Sequence, residues 1–126
     1  MRTHLIEALE KAGAPRILVV GDLMLDIYQW GDVERISPEA PVPVVQLDGG
    51  RTHATVGGAG SVIRDLVALG ARVVAAGVVG DDAEGRAVVG TLKREGVDTR
   101  LVFTEKGRPT TRKTRVMSKS HHLLRT

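Results

Sequence analysis

Residues 73–85, VVAAGVVGDDAEG, decide the fold, because they contain a predicted strand and the start of the helix that follows it. Residues 73–79 form a run of β-branched and small apolar side chains that predicts a buried strand, and a glycine ends it. Asp81 or Asp82 then caps a helix over residues 83–94, whose apolar residues recur at helical spacing. A buried strand followed at once by a capped helix is typical of α/β proteins with a parallel sheet.

The same alternation continues on both sides of this stretch. Residues 59–69 predict a helix, residues 97–103 a third strand, and residues 17–20 a first strand that is buried on both faces. Residues 4–11 predict a short helix before the first strand. The sequence therefore predicts an α/β fold with a mainly parallel sheet flanked by helices.

Two segments depart from this alternation and predict a small separate β layer. The first contains three prolines within residues 38–43, which exclude a helix and a central strand, and Gly49-Gly50 is expected to close it. The second is the C-terminal stretch, where β-forming residues alternate with basic ones. The predicted strands of this layer are residues 25–30, 42–47, 110–118 and 121–125.

Length and composition exclude several classes of protein. A chain of 126 residues fits one domain, and the absence of cysteine excludes a disulfide scaffold, an iron–sulfur cluster, a Cys-ligated zinc site and a cysteine nucleophile. Because no apolar run reaches the roughly 18 residues of a membrane span and the N-terminus does not look like a secretory signal, we expect a cytoplasmic protein without a membrane partner.

Positive charge is concentrated at the end of the chain. Residues 105–126 contain seven Lys and Arg against Glu105 alone, which gives this segment +6 and leaves −3 for the first 104 residues. Such a segment suits an anionic ligand, a nucleic acid or a solvated face, and a small basic nucleic-acid or interaction module stays an alternative. Since no aromatic residues separate the basic ones, stacking on single strands is disfavoured, and we expect no nucleic-acid partner.

Two motifs could bind a polar ligand. Asp22 and Asp26 follow the first strand, where open α/β sheets bind ligands, and a carboxylate can accept hydrogen bonds from two sugar hydroxyls. Gly57-Gly58-Ala59-Gly60 opens a helix and would let backbone amides approach a ligand closely. It is not a dinucleotide fingerprint, because Ile63 stands where the third glycine is required. His121 and His122 point to opposite faces of a strand, so no metal site is expected.

Taken together, these segments resemble the heptose-7-phosphate kinases, a branch of the ribokinase-like (PfkB) carbohydrate kinases that is often the first half of a bifunctional kinase and adenylyltransferase. The string Ile-Ser-Pro-Glu-Ala-Pro-Val-Pro over residues 36–43 is the most specific match. The resemblance covers nearly all of residues 15–126. It rests on VGDLMLD at residues 20–26, RISPEAPVPV at 35–44, GVVGDDAEG at 77–85, EGVDT at 95–99, TTRKTRV at 110–116 and LLR at 123–125.

The resemblance implies that residues 1–126 are the N-terminal part of one ribokinase-like kinase domain, with a β lid at about residues 26–48 and 110–126. It implies transfer of the ATP γ-phosphate, with Mg²⁺, to the anomeric hydroxyl of a heptose 7-phosphate, and a homodimer paired through the lid strands. The catalytic Asp and the Gly-Ala-Gly-Asp anion hole are expected beyond Thr126, so no catalytic residue, ATP or Mg²⁺ is expected within this chain.

The resemblance also implies a sugar-phosphate site. Asp26 and the backbone of Gly57 and Gly58 would hold the sugar, and Ser61 stands where the family usually places Asn. Lys113 and Arg115 lie two residues apart, so a strand puts both on one face, where they could clamp the substrate's phosphate. Arg35 and Arg125 are weaker candidates, and a ribokinase-like kinase for another sugar or nucleoside remains the alternative that Ser61 favours.

Overall fold

A computed structural model of the protein describes residues 2–119 and 121–126. These residues form three helices and seven strands, and the predicted elements are all present. Their order is α1 Arg2–Ala12, β1 Arg16–Val20, β2 Leu23–Ile36, β3 Pro43–Gly58, α2 Ala59–Ala68, β4 Arg72–Gly80, α3 Ala83–Arg94, β5 Asp98–Glu105, β6 Thr111–Ser118 and β7 His121–Arg125.

Strands β1, β4 and β5 form a three-stranded sheet in the order β1-β4-β5, which we call the parallel sheet. Both strand pairs are parallel. Helices α2 and α3 are the crossover connections that parallel strands need, and both pack on this sheet. The predicted α/β architecture is confirmed.

The prediction that residues 17–20 are buried on both faces is wrong for this structure. The side chains of β1 alternate, with Leu18 56% and Val20 72% exposed while Ile17 and Val19 are partly covered. Side chains that alternate along a strand point to opposite faces of its sheet. Helix α2 packs against β1, so Ile17 and Val19 lie on the face that the described residues cover.

The remaining four strands form a second sheet, β3-β2-β6-β7, which we call the lid sheet. Strand β2 pairs antiparallel with β3 and parallel with β6, and β6 pairs antiparallel with β7. The proline-containing residues 37–42 connect β2 and β3 outside the ladder. The predicted separate β layer is therefore present, with β3 and β7 as its edges.

Gly49-Gly50 does not close the segment as expected. Strand β3 continues through both glycines to Gly58, and its pairing with β2 is irregular between Gln29 and Gly31, the part of the ladder opposite them. Glycine inside a strand often marks a bulge, because it tolerates backbone angles that interrupt pairing. Here the glycines interrupt the ladder and do not end it, so the lid sheet extends beyond residues 26–48.

One buried cluster joins the two sheets. Leu23 and Leu25 from the base of β2 pack with residues of α2, α3 and the parallel sheet, so the lid sheet is anchored in the same core. The cluster contains Leu23, Leu25, Val56, Ile63, Val73, Ala75, Val79, Val88, Leu92 and Val97. None of the helices in the described residues is long and apolar enough to cross a membrane.

Candidate functional site

The site is built on the face of the lid sheet opposite to Leu23 and Leu25. Because side chains alternate along β2, Asp26 and Tyr28 share this face. Opposite them on β6 lie Lys113 and Arg115, respectively, and Thr55 of β3 lies opposite Asp26. Residues directly opposite each other project from the same face, so we call this side the site face. The prediction that Lys113 and Arg115 share one face is confirmed.

Asp26 and Arg115 form a buried ion pair at the centre of the site face. Asp26 Oδ1 lies 3.1 Å from Arg115 Nη1, and the two side chains are only 12% and 19% exposed. The distance fits a salt bridge, but the orientation does not give a hydrogen bond, and both atoms are buried without one. The pair therefore neutralises the carboxylate while leaving hydrogen-bonding capacity unused on both partners.

The aromatic ring of Tyr28 packs against the guanidinium of Arg115. The guanidinium carbon lies 4.9 Å from the centroid of the Tyr28 ring, a distance typical of a cation–π contact. The same ring stacks against Trp30 at 6.2 Å and is tilted against His53 at 6.3 Å. The sequence analysis missed Tyr28, although its position two residues after Asp26 in a strand could have placed it on the same face.

Gly57 makes room for Asp26. A Cβ atom at position 57 would run into the Asp26 carboxylate, at Oδ2 and Cγ, so only glycine fits here without moving the carboxylate. Gly58 follows with a positive φ of 62°, which glycine adopts readily. The chain then turns into α2, where the Ala59 N–H donates to the Asp22 carbonyl at 2.9 Å. The glycine pair thus sets both the shape of the site and the start of the helix.

The Ser61 hydroxyl hydrogen-bonds to the backbone and not to the Asp26–Arg115 pair. Ser61 is exposed in the first turn of α2, and its Oγ donates to the Val56 carbonyl at 3.4 Å. Ile63, two residues on, is fully buried in the core cluster. The structure thus accommodates Ile63 as a core residue and leaves the Ser61 hydroxyl on the surface near the helix start.

Two further cations adjoin Arg115. Lys113 lies opposite Asp26, with no carboxylate within 4.0 Å in the part of the chain that the structure describes. Arg125 lies opposite Arg115 across the β6–β7 pair, so it also projects from the site face. Arg35 is exposed beside Asp32 and Glu34 on a groove far along β2. The structure therefore groups three of the four basic candidates.

Asp82 and Thr110 join α3 to the start of β6, a link that the sequence analysis did not predict. The N-terminal cap of α3 by Asp82 is confirmed, with Gly85 N–H donating to Oδ1 at 2.7 Å. The same carboxylate accepts hydrogen bonds from the Thr110 backbone N–H and hydroxyl, both at 2.7 Å. The buried Thr110 hydroxyl in turn accepts from Gly80 N–H at 2.8 Å.

These hydrogen bonds stabilise the charged form of the Asp82 carboxylate. The Thr110 backbone N–H, the Thr110 hydroxyl and Gly85 N–H all donate to the carboxylate, and they hold the pKa of Asp82 below its ordinary value. Asp81 instead makes a 3.8 Å contact with Arg86 at the surface. Asp82 therefore has a structural part at the base of β6, the strand that carries Lys113.

The described residues do not form a metal site. In residues 2–119 and 121–126, no group of three or more His, Asp or Glu lies close enough to hold a metal ion. His122 Nε2 lies 3.0 Å from the Leu124 carbonyl oxygen.

The arrangement can bind a hydroxylated anion. A carboxylate that accepts hydrogen bonds lies beside a guanidinium and an ammonium that bind phosphate or carboxylate groups. This chemistry suits a polar, negatively charged molecule.

Comparisons with known proteins agree with this description. Two curated relatives, each named bifunctional protein HldE, come from Wolinella succinogenes and Trichlorobacter lovleyi. They are 50% and 47% identical over 88% and 99% of this chain. The chain spans about a quarter of the length of these relatives, 23% and 25% respectively.

Solved structures show the same fold. A carbohydrate kinase from Agrobacterium tumefaciens superposes with a TM-score of 0.71 at 24% identity, over 89% of this chain and 34% of that one. An Arabidopsis thaliana ribokinase, described as complexed with ribose and ATP, gives a TM-score of 0.66 at 21% identity over 90% and 35%. The model of the pfkB family carbohydrate kinases matches residues 14–124. This chain belongs to the pfkB family of carbohydrate kinases.

Proposed function

We propose that this chain is the N-terminal part of a kinase domain that transfers the ATP γ-phosphate to the anomeric hydroxyl of D-glycero-D-manno-heptose 7-phosphate, in ADP-heptose synthesis for lipopolysaccharide. Family membership supports a sugar kinase. The relatives named HldE and the string at residues 36–43 support the heptose branch. The observation that carries the proposal is a buried Asp26 beside two cations on one face.

Each site residue has a chemical part in this proposal. Asp26 accepts hydrogen bonds from ring hydroxyls, and the backbone around Gly57 and Gly58 lets the sugar approach closely. Arg115 and Lys113 bind the 7-phosphate, since a guanidinium gives paired hydrogen bonds and an ammonium adds a point charge. Ser61 offers a short donor and acceptor at the start of α2. ATP, with Mg²⁺, supplies the transferred phosphoryl group.

The cellular setting follows from the same proposal. The enzyme works in the cytoplasm, as a homodimer paired through its lid sheets, and takes sugar phosphate and ATP as its ligands. The exposed lid residues Ile36 and Leu47 support the pairing, because both leave apolar surface open to a partner. Nucleic acid and membrane are not among its partners.

A coupled assay that detects ADP tests the function. The full-length protein should form ADP with heptose 7-phosphate and much less with ribose or fructose. The 126-residue chain alone should form none, because the resemblance places the catalytic Asp and the anion hole after residue 126. Equal turnover of ribose, or ADP formation by the 126-residue chain that depends on heptose phosphate, would contradict this proposal.

A kinase for another sugar or nucleoside is the second candidate, and Ser61 is the observation that favours it. Serine retains a donor and an acceptor but reaches less far than the asparagine usual at this position. The same ADP assay with a panel of sugars and nucleosides separates the two candidates. Restored or improved heptose phosphate turnover in Ser61→Asn, with loss of another substrate, would support the second candidate.

A further inference from the structure

The unused hydrogen-bonding capacity of the Asp26–Arg115 pair needs an explanation. Asp26 Oδ1 and Arg115 Nη1 are 3.1 Å apart, buried, and without a hydrogen bond in the described residues. Buried polar groups left without hydrogen bonds are costly, and a buried charge pair is stabilising only when its remaining donors and acceptors are satisfied. The pair is therefore poised to exchange partners when a ligand supplies better ones.

Arg115 is held in a position from which it can bind two anions. Its guanidinium lies over the Tyr28 ring at 4.9 Å and beside Asp26, and it has five N–H donors. Its Nη1 atom is buried and makes no hydrogen bond within the described residues. Lys113 lies on the same face, two residues away, and adds a second positive charge. Because Arg115 also neutralises Asp26, an anionic group that binds Arg115 competes with Asp26 for the same guanidinium.

We propose that Arg115 pairs with Asp26 in the free site and leaves it for an anionic group of the ligand, a switch of partners that we call the latch. The site thereby selects a phosphorylated sugar over the same sugar without its phosphate. The proposal rests on the proposed function, which makes Asp26 the residue that holds ring hydroxyls. It adds that Arg115 is a specificity-determining residue, and that phosphate and hydroxyl recognition are coupled through this one side chain.

The coupling has a defined direction. A neutral sugar must compete with Arg115 for Asp26 Oδ1, and its hydroxyls do not replace the charge attraction that is lost. A phosphate offers Arg115 a stronger, bidentate partner and so frees Asp26 Oδ1 for the hydroxyls. Binding of the phosphate group and binding of the sugar ring therefore favour each other, and this coupling is reciprocal.

The wild-type full-length enzyme gives the first test, by calorimetry with unphosphorylated heptose as ligand and inorganic phosphate as the added probe. Phosphate that binds Arg115 should raise the affinity for unphosphorylated heptose. An affinity that stays unchanged or falls as phosphate is added overturns the latch. This measurement requires no substitution, so it is independent of whether a variant folds.

Arg115→Gln gives the second test. We expect its affinity for heptose 7-phosphate to fall about ten- to a hundredfold, the range for lost hydrogen bonds to a charged group. Its affinity for unphosphorylated heptose should rise, because Asp26 is no longer paired. Loss of both affinities in parallel, in a variant that retains its circular dichroism spectrum, overturns the latch.

Arg112→Gln is the matched control for this substitution. Arg112 is the same residue type in the same strand, but it points to the opposite face and pairs with Glu84 at 3.1 Å. Neither affinity should change in it. The proposed function fails by a different result, when the wild-type enzyme does not phosphorylate heptose 7-phosphate. The latch alone fails when the wild type does so but Arg115→Gln gains no affinity for the neutral sugar.

Discussion

At the scale of single residues, Asp26 is a buried carboxylate with one ion-pair partner in the described residues, Arg115. The residue as a whole is 9% exposed and lies inside a strand, where a carboxylate is rare unless it is paired. Arg115 provides the pair and Gly57 provides the space. These two residues come from different strands, β6 and β3, so the carboxylate is fixed by the lid sheet as a whole.

We expect Asp26→Ala in the full-length enzyme to weaken sugar binding. The loss should be about 1.5–3 kcal/mol, the range for hydrogen bonds to a charged group. The measurement is the dissociation constant for heptose 7-phosphate, together with KM and kcat. Unchanged affinity and turnover in the variant would remove Asp26 from the site.

Gly57→Ala should impair the same site without removing a functional group. A Cβ atom at this position meets the Asp26 carboxylate, so the carboxylate has to move away from its present position. We expect a raised KM for the sugar and a lower denaturation midpoint. Gly49→Ala is the control, because a Cβ there meets nothing within 4 Å, and it should alter neither. Equal behaviour of the two variants would show that the space at position 57 is unimportant.

The sequence could predict individual site residues but not their pairing. Asp26 follows a strand and matches a family motif, and Lys113 and Arg115 share a face through simple alternation. The ion pair between Asp26 and Arg115 depends on the parallel register of β2 and β6, which no local pattern specifies. For the same reason Tyr28 was not recognised as the support of Arg115.

At the scale of elements, the position of β6 depends on its junction with α3. The Thr110 backbone N–H and hydroxyl each donate a hydrogen bond of 2.7 Å to the Asp82 carboxylate there, and the Thr110 hydroxyl also accepts from Gly80 N–H. The junction fixes the start of the strand that carries Lys113 and Arg115. Stability of the junction and geometry of the site are therefore linked.

Thr110→Val should destabilise the protein. The substitution keeps the shape of the side chain but leaves the buried Gly80 N–H without its acceptor, which costs about 1–3 kcal/mol. Thr110→Ser keeps the hydroxyl and is the matched control, with a smaller loss. Urea denaturation monitored by circular dichroism measures both. A valine variant as stable as the serine variant would contradict the assigned part of the hydroxyl.

The pH dependence of stability should report on Asp82. Its pKa is lowered in the folded protein, so the unfolded state binds a proton at higher pH than the folded state does. The stabilisation is present above the unfolded pKa of about 3.9 and is lost as pH falls through the folded pKa. Asp82→Asn should lower the urea midpoint at pH 7 and flatten its decline between pH 4 and 2.

The interpretation of the Asp82→Asn measurement depends on the contribution of Asp98 and on a control variant. Asp98, whose pKa its neighbour Arg100 lowers to about 2, adds to the acid dependence in every variant, so Asp82→Asn flattens the decline without abolishing it. Asp81→Asn is the control, since its carboxylate accepts none of the junction hydrogen bonds. An Asp82→Asn profile parallel to that of the wild type would contradict the link.

Local signals account for most of the elements that could be predicted. Glycines and helix caps mark the ends of β4 and α3 because backbone conformation and capping are decided within a few residues. The same local rule failed at Gly49-Gly50, because pairing with β2 resumes beyond the glycines and carries β3 to Gly58. It also failed for β1, whose burial depends on which elements cover each face of the sheet.

At the scale of the whole molecule, the lid sheet leaves apolar surface and two edges uncovered. Val33, Ile36 and Leu47 of the lid sheet are 38%, 61% and 49% exposed, Val42 in the connection before β3 is 51% exposed, and β3 and β7 are edge strands. Exposed edges and apolar patches favour pairing with another chain, and a second copy offers the same surface for a symmetric contact. Leu18, Val20 and Phe103 leave a further apolar surface on the parallel sheet.

We expect the 126-residue chain to self-associate through its lid sheet. Burial of apolar area contributes roughly 25 cal/mol per Å², so a contact of several hundred Å² outweighs modest repulsion between the basic β6–β7 strands. Light scattering across a range of concentrations should show a rising mass, and low salt should weaken association because repulsion is then less screened. Ile36→Asp in the lid sheet should reduce association, whereas Phe103→Asp on the parallel sheet should leave it unchanged. A monomer at every concentration would contradict self-association, and a monomer only in Phe103→Asp would place the contact on the parallel sheet.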